Sequence, residues 1–340
     1  MAKRSFLAMA MVVIFLASVQ AAFAAWANPD LLFQVDQAEK IIGNPQWVVL
    51  DCRDQASYEK GHLPGALNLG KAGAKKILRD GTARTFQDFS IYEKLLGGAG
   101  ISNDKNILVY SDVKSKLMDD AFLTFWVLEY LGHSNVHLLN GGFEAWTQAG
   151  KKVETAPVKG TPTVFKVTVD RNKLATNEEI LKLAKNEAKD MQLVDNRSRE
   201  EFDGYDIRSL RGGHVPNTTK NVPHVTFFEQ KKDEKTGKTS PTGILSEAAI
   251  SKNLDGLDKN KRTIFLCQTG TRSSFGYFVS RLTGFKNTAN HDDGWVVWGN
   301  NFYKNYPVEK EQWLDFSRID DLEKKVKELE DKIKSLEGKK

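Results

Sequence analysis

The sequence predicts a duplicated α/β protein: two copies of one domain, each a mainly parallel sheet with helices on both faces, followed by a helical tail. Three observations carry this. One pattern is written twice, first as Val48-Val49-Leu50-Asp51-Cys52-Arg53 with Tyr58 and Gly61-His62-Leu63-Pro64, then as Gln192-Leu193-Val194-Asp195-Asn196-Arg197 with Phe202 and Gly213-His214-Val215-Pro216. Short runs rich in Val, Ile and Leu alternate with helical stretches such as residues 117–131 and 246–254, the arrangement that buries parallel strands between helices. The pairing continues downstream: Ile107-Leu108-Val109-Tyr110-Ser111 answers Thr263-Ile264-Phe265-Leu266-Cys267, and Gly141-Gly142-Phe143-Glu144-Ala145-Trp146 answers Asp293-Gly294-Trp295-Val296-Val297-Trp298.

In chain order, Lys3 and Arg4 precede an apolar stretch over residues 6–19 and then Ala22-Phe23-Ala24. This reads as a secretory signal over residues 1–24, and the apolar stretch is shorter than the roughly twenty residues a membrane span prefers. Export, most simply to a periplasm, and no stable membrane insertion after cleavage are the expectations. The first repeat fills residues 30–155. Pro157, Gly160 and Pro162 mark a linker at 156–163, and the second repeat fills 164–312. Within it, the polar residues 229–243 read as an exposed loop. In the tail, residues 316–340, Ile319, Leu322, Val326, Leu329, Ile333 and Leu336 repeat at alternating spacings of three and four, with Lys and Glu filling most of the rest. That is a coiled-coil seam, through which residues 319–336 would join a second copy or another protein. The alternative is an amphipathic helix folded back on its own domain.

Bulk properties exclude several classes. The net charge of +5 includes Lys3 and Arg4 of the leader and is too small a bias to argue for nucleic acid. Two cysteines are too few for a disulfide-stapled scaffold, and both read as free thiols. His133 and His137 flank a turn into a strand, where that spacing does not converge on one metal ion; no metal and no organic cofactor is expected. His62 and His214 belong to the repeated turn.

The chemistry concentrates at Cys267. A short apolar strand runs into Cys267-Gln268-Thr269-Gly270-Thr271-Arg272-Ser273, and Phe275, Phe278, Val279 and Leu282 then follow at helical spacing up to Gly284. The sequence therefore predicts a helix over 273–282, with the thiol between a strand's end and a helix's start. Unpaired backbone amides there form an anion site, and a guanidinium nearby favours the thiolate, the nucleophilic form of cysteine. The bland reading is a buried structural thiol, against which stand the small, polar residues after Cys267. Cys52, at the other strand end, corresponds to Asn196 and reads as a core thiol.

Together, the two Asp-x-Arg strand ends, the two Gly-His-x-Pro turns, Cys-x-x-Gly-x-Arg and the Gly-x-x-x-Trp elements resemble the two-domain rhodanese family, the thiosulfate and mercaptopyruvate sulfurtransferases. The resemblance covers roughly residues 30 to 312. It implies that Cys267 accepts a sulfur as a persulfide and hands it to a nucleophilic acceptor, while the first repeat, with Ser111 at the matching position and no Gly-x-Arg after it, is non-catalytic. A ring of amides from Gln268 to Ser273 would stabilise the persulfide. Arg272 would pair with an anionic donor or bond to loop carbonyls, and Asp195 and Arg197 would brace the loop. Trp295 reads as core or as cleft wall in contact with the donor. Thr269 and Glu201 stand where many animal thiosulfate enzymes of the family carry basic residues, and the Gly-Ser-Gly-Val-Thr run that typically follows Cys in mercaptopyruvate enzymes is missing. Thiosulfate is thus the favoured donor, with polysulfide or another persulfide open and cyanide or a thiol as acceptor. Two rivals remain: a partner-docked carrier of sulfur or selenium with little free turnover, and a cysteine phosphatase or arsenate reductase on the same fold. Phosphatase loops of this kind are Cys-x5-Arg, one residue longer than the span from Cys267 to Arg272.

Overall fold

The computed structural model describes residues 26–79, 86, 88–232, 234, 236–301, 305–315 and 317–337. The leader expected at residues 1–24 lies outside them. Strands β1 (Leu32–Phe33), β2 (Trp47–Asp51), β3 (Leu67–Asn68), β4 (Asn106–Tyr110) and β5 (Val136–Leu139) form one sheet in the order β1-β5-β4-β2-β3, with every pairing parallel. In the second repeat, β6 (Met191–Asp195), β7 (Arg211–His214), β8 (Lys220–Asn221), β9 (Phe228–Lys232), β10 (Thr239–Ile244), β11 (Arg262–Leu266), β12 (Asn287–Asn290) and β13 (Glu309–Trp313) follow. Of these, β12-β11-β6-β8 make the parallel sheet, and β9/β10 and β7/β13 are antiparallel side ladders. The central strands carry unbroken apolar runs such as Leu50 and Leu108 or Leu193 and Ile264, all fully buried, because helices cover both faces.

Register sets the chemistry. Asp195 pairs with Leu266, so Cys267 leaves β11 beside the carboxyl end of β6. In the first repeat Asp51 pairs with Tyr110, which places Ser111 at the equivalent point.

The two repeats share one core. Helix Asp119–Tyr130, which follows the Ser111 loop, packs on helix Thr271–Leu282, which follows the Cys267 loop. Phe122 stacks on Phe275 at 4.0 Å, and Phe125 meets Phe278 edge-on at 4.9 Å; each such pair contributes about 1 kcal/mol beyond its buried area. At the far end of the contact, Glu129 accepts hydrogen bonds from the Tyr277 hydroxyl at 2.5 Å and from Arg281 at 2.6 and 2.7 Å. Residues 120–130 are buried all round, as expected of a helix held between its own sheet and a second domain.

Two expectations need adjustment, and that of a helical tail is met. The helix expected from residue 117 begins at Asp119, because Leu117 and Met118 both take left-handed backbone angles and separate it from a short helix, Val113–Lys116. Residues 229–243 are not a loop. They form most of the β9/β10 hairpin, whose base is tied to the first repeat by the Asn140 side chain, which accepts from the Ile244 amide at 2.9 Å. The tail is a continuous helix, Ser317–Glu337, and its Leu322, Val326, Leu329, Ile333 and Leu336 are exposed, so it does not fold its apolar side onto the body. Among the described residues no helix is long and apolar enough to cross a membrane.

Candidate active site

The Cys267 loop is shaped by one glycine and by the two segments packed behind it. Gly270 caps the helix with a φ of 75°, and a Cβ there would lie 2.4 Å from Asp292 Oδ1, so no other residue fits. The helix starts at Thr271, two residues earlier than expected, which puts Arg272 in its first turn. Behind the loop, helix Gly294–Trp298 takes the outward carbonyls: the Trp295 amide donates to Cys267 O at 2.7 Å and the Val296 amide to Gln268 O at 2.9 Å. Asn290 Nδ2 donates to Gly270 O at 3.0 Å. With its carbonyls engaged, the loop keeps the amides of residues 268–273 out of every backbone hydrogen bond among the described residues. Such a run of amides at a helix start favours an anion.

Cys267 sits at the base of this loop, fully buried. Ser273 Oγ is 3.4 Å from its Sγ and 2.6 Å from Asn290 Oδ1. The Asn290 amide is fixed by Gly270 O, so its oxygen faces Ser273, whose hydroxyl proton is shared between that oxygen and the Cys267 sulfur. Gln268 Nε2 donates to Arg208 O and Ser209 Oγ, both at 3.0 Å, which closes the loop's other flank.

Arg272 departs from expectation. Among the described residues its guanidinium bonds to no loop carbonyl; it grips the Glu201 carboxylate with both prongs, at 2.6 and 2.7 Å. Burial works against the Arg272 charge, but hydrogen bonds to Glu201, followed by the charge of a Cys267 thiolate, hold its pKa above the ordinary value. Burial also pushes the Glu201 carboxyl up, and Arg272 more than offsets this, leaving it below the usual range. The sequence signal at Glu201 was the box Ser198-x-x-Glu201, which the structure shows as a helix cap, Ser198 N donating to Glu201 Oε2 at 3.1 Å. One carboxylate thus caps a helix and holds the loop's cation. His224 was also missed. It lies near this pair, and burial followed by the Arg272 charge pushes its pKa down to about 4.

Asp195 and Arg197 form a buried ion pair of 2.7 Å beneath the loop, and Arg197 also donates to Gly213 O at 2.7 Å. Trp295 is not a cleft wall. It is 1% exposed, with its ring 4.2 Å from the Arg197 guanidinium and its Nε1 donating to Arg211 O at 2.9 Å, because the helix that caps Cys267 O turns this side chain inward. The first repeat repeats the frame with Asp51, Arg53, Gly61 O and Phe143.

The first repeat also reaches the loop directly. Arg79, at the end of helix Ala74–Arg79, donates to Thr269 O at 2.6 Å and Thr271 Oγ1 at 3.1 Å and pairs with Asp292 Oδ1 at 2.8 Å. No sequence signal marked it, since its partners lie in the other domain. At the Ser111 loop, by contrast, the amides of Val113 and Lys114 are already taken by Glu144 Oε2 and Oε1, both at 2.9 Å, so an internal carboxylate fills the place an anion would occupy. Cys52 is fully buried, 3.7 Å from Leu50 O, and burial pushes its thiol pKa far up. Among the described residues no group of three or more His, Cys, Asp or Glu is placed to hold a metal.

Comparison with known proteins agrees with this architecture. The model of the rhodanese-like domain matches residues 34–149 and 176–301. The chain is 32% identical over 294 residues to the thiosulfate sulfurtransferase of Corynebacterium glutamicum, covering 82% of this chain and 91% of that protein. It is 29% identical over 290 residues to the sulfur carrier protein TtuD of Thermus thermophilus, covering 81% and 95%. Among solved structures, an anaerobic ergothioneine biosynthesis enzyme from Chlorobium limicola superposes with a TM-score of 0.69 at 18% identity, over 83% of this chain and 71% of that one, a likeness of fold. The duplicated parallel sheets and these relatives together establish that the chain belongs to the rhodanese family, with two rhodanese-like domains in tandem.

Proposed function

We propose that the protein moves a sulfane sulfur from thiosulfate, or from a polysulfide or persulfide, to a thiophilic acceptor such as cyanide or a thiol, through a persulfide on Cys267. The observation that carries this reading is a thiol at the base of a loop whose six following amides have no backbone partner among the described residues, with Arg272 in electrostatic reach. In the first half-reaction the Cys267 thiolate attacks the outer sulfur of thiosulfate. The S–S bond of the donor breaks, and sulfite leaves with the electron pair. In the second, cyanide attacks the terminal sulfur of the persulfide, thiocyanate departs and the thiolate is restored. No redox partner is required. The loop amides stabilise the persulfide anion throughout, with no reorganisation at the moment of transfer.

The burial of Cys267 fits a slender donor that presents a terminal sulfur. A phosphatase reading has little support: the loop is one residue short, and Arg272 is already neutralised by Glu201 rather than free for a tetrahedral dianion. A sulfur carrier with little free turnover is the second reading, favoured by the likeness to TtuD. Residues 1–24 support export of the mature protein.

Intact mass before and after thiosulfate tests the proposal. A gain of one sulfur, about 32 Da, on the peptide holding Cys267 and its removal by cyanide as thiocyanate are expected. Cys267→Ser should abolish both. Sulfur uptake without rapid multiple turnover on small acceptors selects the carrier reading, and uptake retained in Cys267→Ser overturns the mechanism.

A further inference from the structure

The tail helix presents an apolar stripe, Leu322, Val326, Leu329, Ile333 and Leu336, each between 53% and 60% exposed. The stripe is narrow, and its flanks are charged. We propose that the tail pairs with the tail of a second copy of this chain as a parallel, two-stranded coiled coil. This is independent of the sulfur chemistry.

The residue types along the seam select two strands. Read as heptads, the a positions are Ile319, Val326 and Ile333, all β-branched, and the d positions are Leu322, Leu329 and Leu336, all leucine. That combination packs best in a parallel dimer, and other distributions of Ile and Leu shift the preference to three or four strands. The helix is 21 residues long, about 31 Å. Alone in water its seam stays wetted; paired, both seams are buried along nearly three repeats.

The charges beside the seam select the partner and its direction. Positions e are Glu323, Glu330 and Glu337, and positions g are Arg318, Lys325 and Lys332. In a parallel pair each g faces the e of the next heptad on the other strand, which sets Arg318 against Glu323, Lys325 against Glu330 and Lys332 against Glu337, every pair attractive. An antiparallel pair would set g against g and e against e, bringing Lys to Lys and Glu to Glu. Each flank is complementary to the other flank of the same sequence, so the surface that fits this tail best is the tail itself. Only residues 314–316 separate β13 from the helix, so a parallel pair would hold two catalytic bodies at one end of a short stalk.

Sedimentation equilibrium of the full chain across a concentration series should give twice the monomer mass at high concentration. Two charge-reversed variants make the test specific. One carries Glu323→Lys, Glu330→Lys and Glu337→Lys; the other carries Arg318→Glu, Lys325→Glu and Lys332→Glu. Each should be monomeric alone, and an equal mixture should return to dimer mass, which also shows that both chains fold. Leu336→Cys, at the last d position of the helix, should form an intermolecular disulfide on mild oxidation, as only a parallel pair in register permits. A monomer throughout the series, a trimer or tetramer mass, dimers from either reversed variant alone, or no cross-link at residue 336 would each overturn the proposal.

Discussion

Arg272 and Glu201 form a two-pronged buried ion pair, with N···O distances of 2.6 and 2.7 Å, that ties the first turn of the helix after Cys267 to the helix start after Asp195. The pair joins loop and scaffold through side chains from two separate strand ends. The guanidinium is within electrostatic reach of Cys267 and is compensated by the carboxylate, an arrangement that keeps positive charge near the sulfur without leaving a buried cation unpaired.

Glu201→Ala should therefore lower the free energy of unfolding by about 3 kcal/mol, since removing one partner strands the other in a buried site. Arg272→Lys should also weaken the protein, because an ammonium cannot reproduce the fork. Urea denaturation of both variants beside the parent checks this; unchanged midpoints would show the pair to be dispensable.

Gly270→Ala should cost about 1–3 kcal/mol and slow sulfur uptake. The position is held at a φ of 75°, and the added methyl would meet Asp292. The measurement is the rate of persulfide formation together with the thermal midpoint, and both should fall.

Arg79→Ala should reduce the rate of persulfide formation by about tenfold to a hundredfold, the scale expected when a reacting group is released by an ångström or so. Its contacts are to the loop's Thr269, Thr271 and Asp292. Single-turnover mass spectrometry with thiosulfate would read the effect, and a parent-like rate would show that the first domain does not position the loop.

Stability should decline as the pH is lowered from neutrality toward about 4. His224 is pushed down to about 4 by burial and the Arg272 charge, and burial also lowers His291. Above the unfolded histidine pKa of about 6.5 both states are neutral and nothing is lost; between there and about 4 only the unfolded chain takes the proton, which favours unfolding. Denaturant midpoints followed from neutral to mildly acidic pH should fall, and His224→Gln should flatten part of the slope. An equally steep slope in the variant would remove His224 from the account.

Cys52→Ser should leave sulfur uptake intact while costing about 1–3 kcal/mol, because its hydroxyl would be buried where a weakly polar thiol now sits. Loss of uptake in this variant would give Cys52 a role that its burial argues against.

Much of the fold was legible because burial on both faces writes itself as unbroken apolar runs, and because duplication wrote the strand ends twice. Asp195-x-Arg197 and Asp51-x-Arg53 could be matched by eye, and their ion pairs recur with the same third partner, a glycine carbonyl. Where local pattern failed, the reason was physical. Residues 229–243 are polar on a hairpin that faces solvent, so no apolar alternation announced the strands. Trp295 read as core or cleft wall, and the packing decided for the core, because the helix that caps the Cys267 carbonyl turns its ring against Arg197.

By itself the sequence determined the two-domain architecture, the place of Cys267 between a strand's end and a helix's start, the glycine that turns its loop and the helical tail, since each rests on neighbours along the chain or on a repeat of the same pattern. Only the tertiary structure decided which charges meet: Glu201 with Arg272, Arg79 with Asp292, and Glu144 with the amides of the first domain's counterpart loop. Those pairings join residues far apart in the chain, some of them in different domains, and an ion pair formed by long flexible side chains leaves no periodicity from which it could be read.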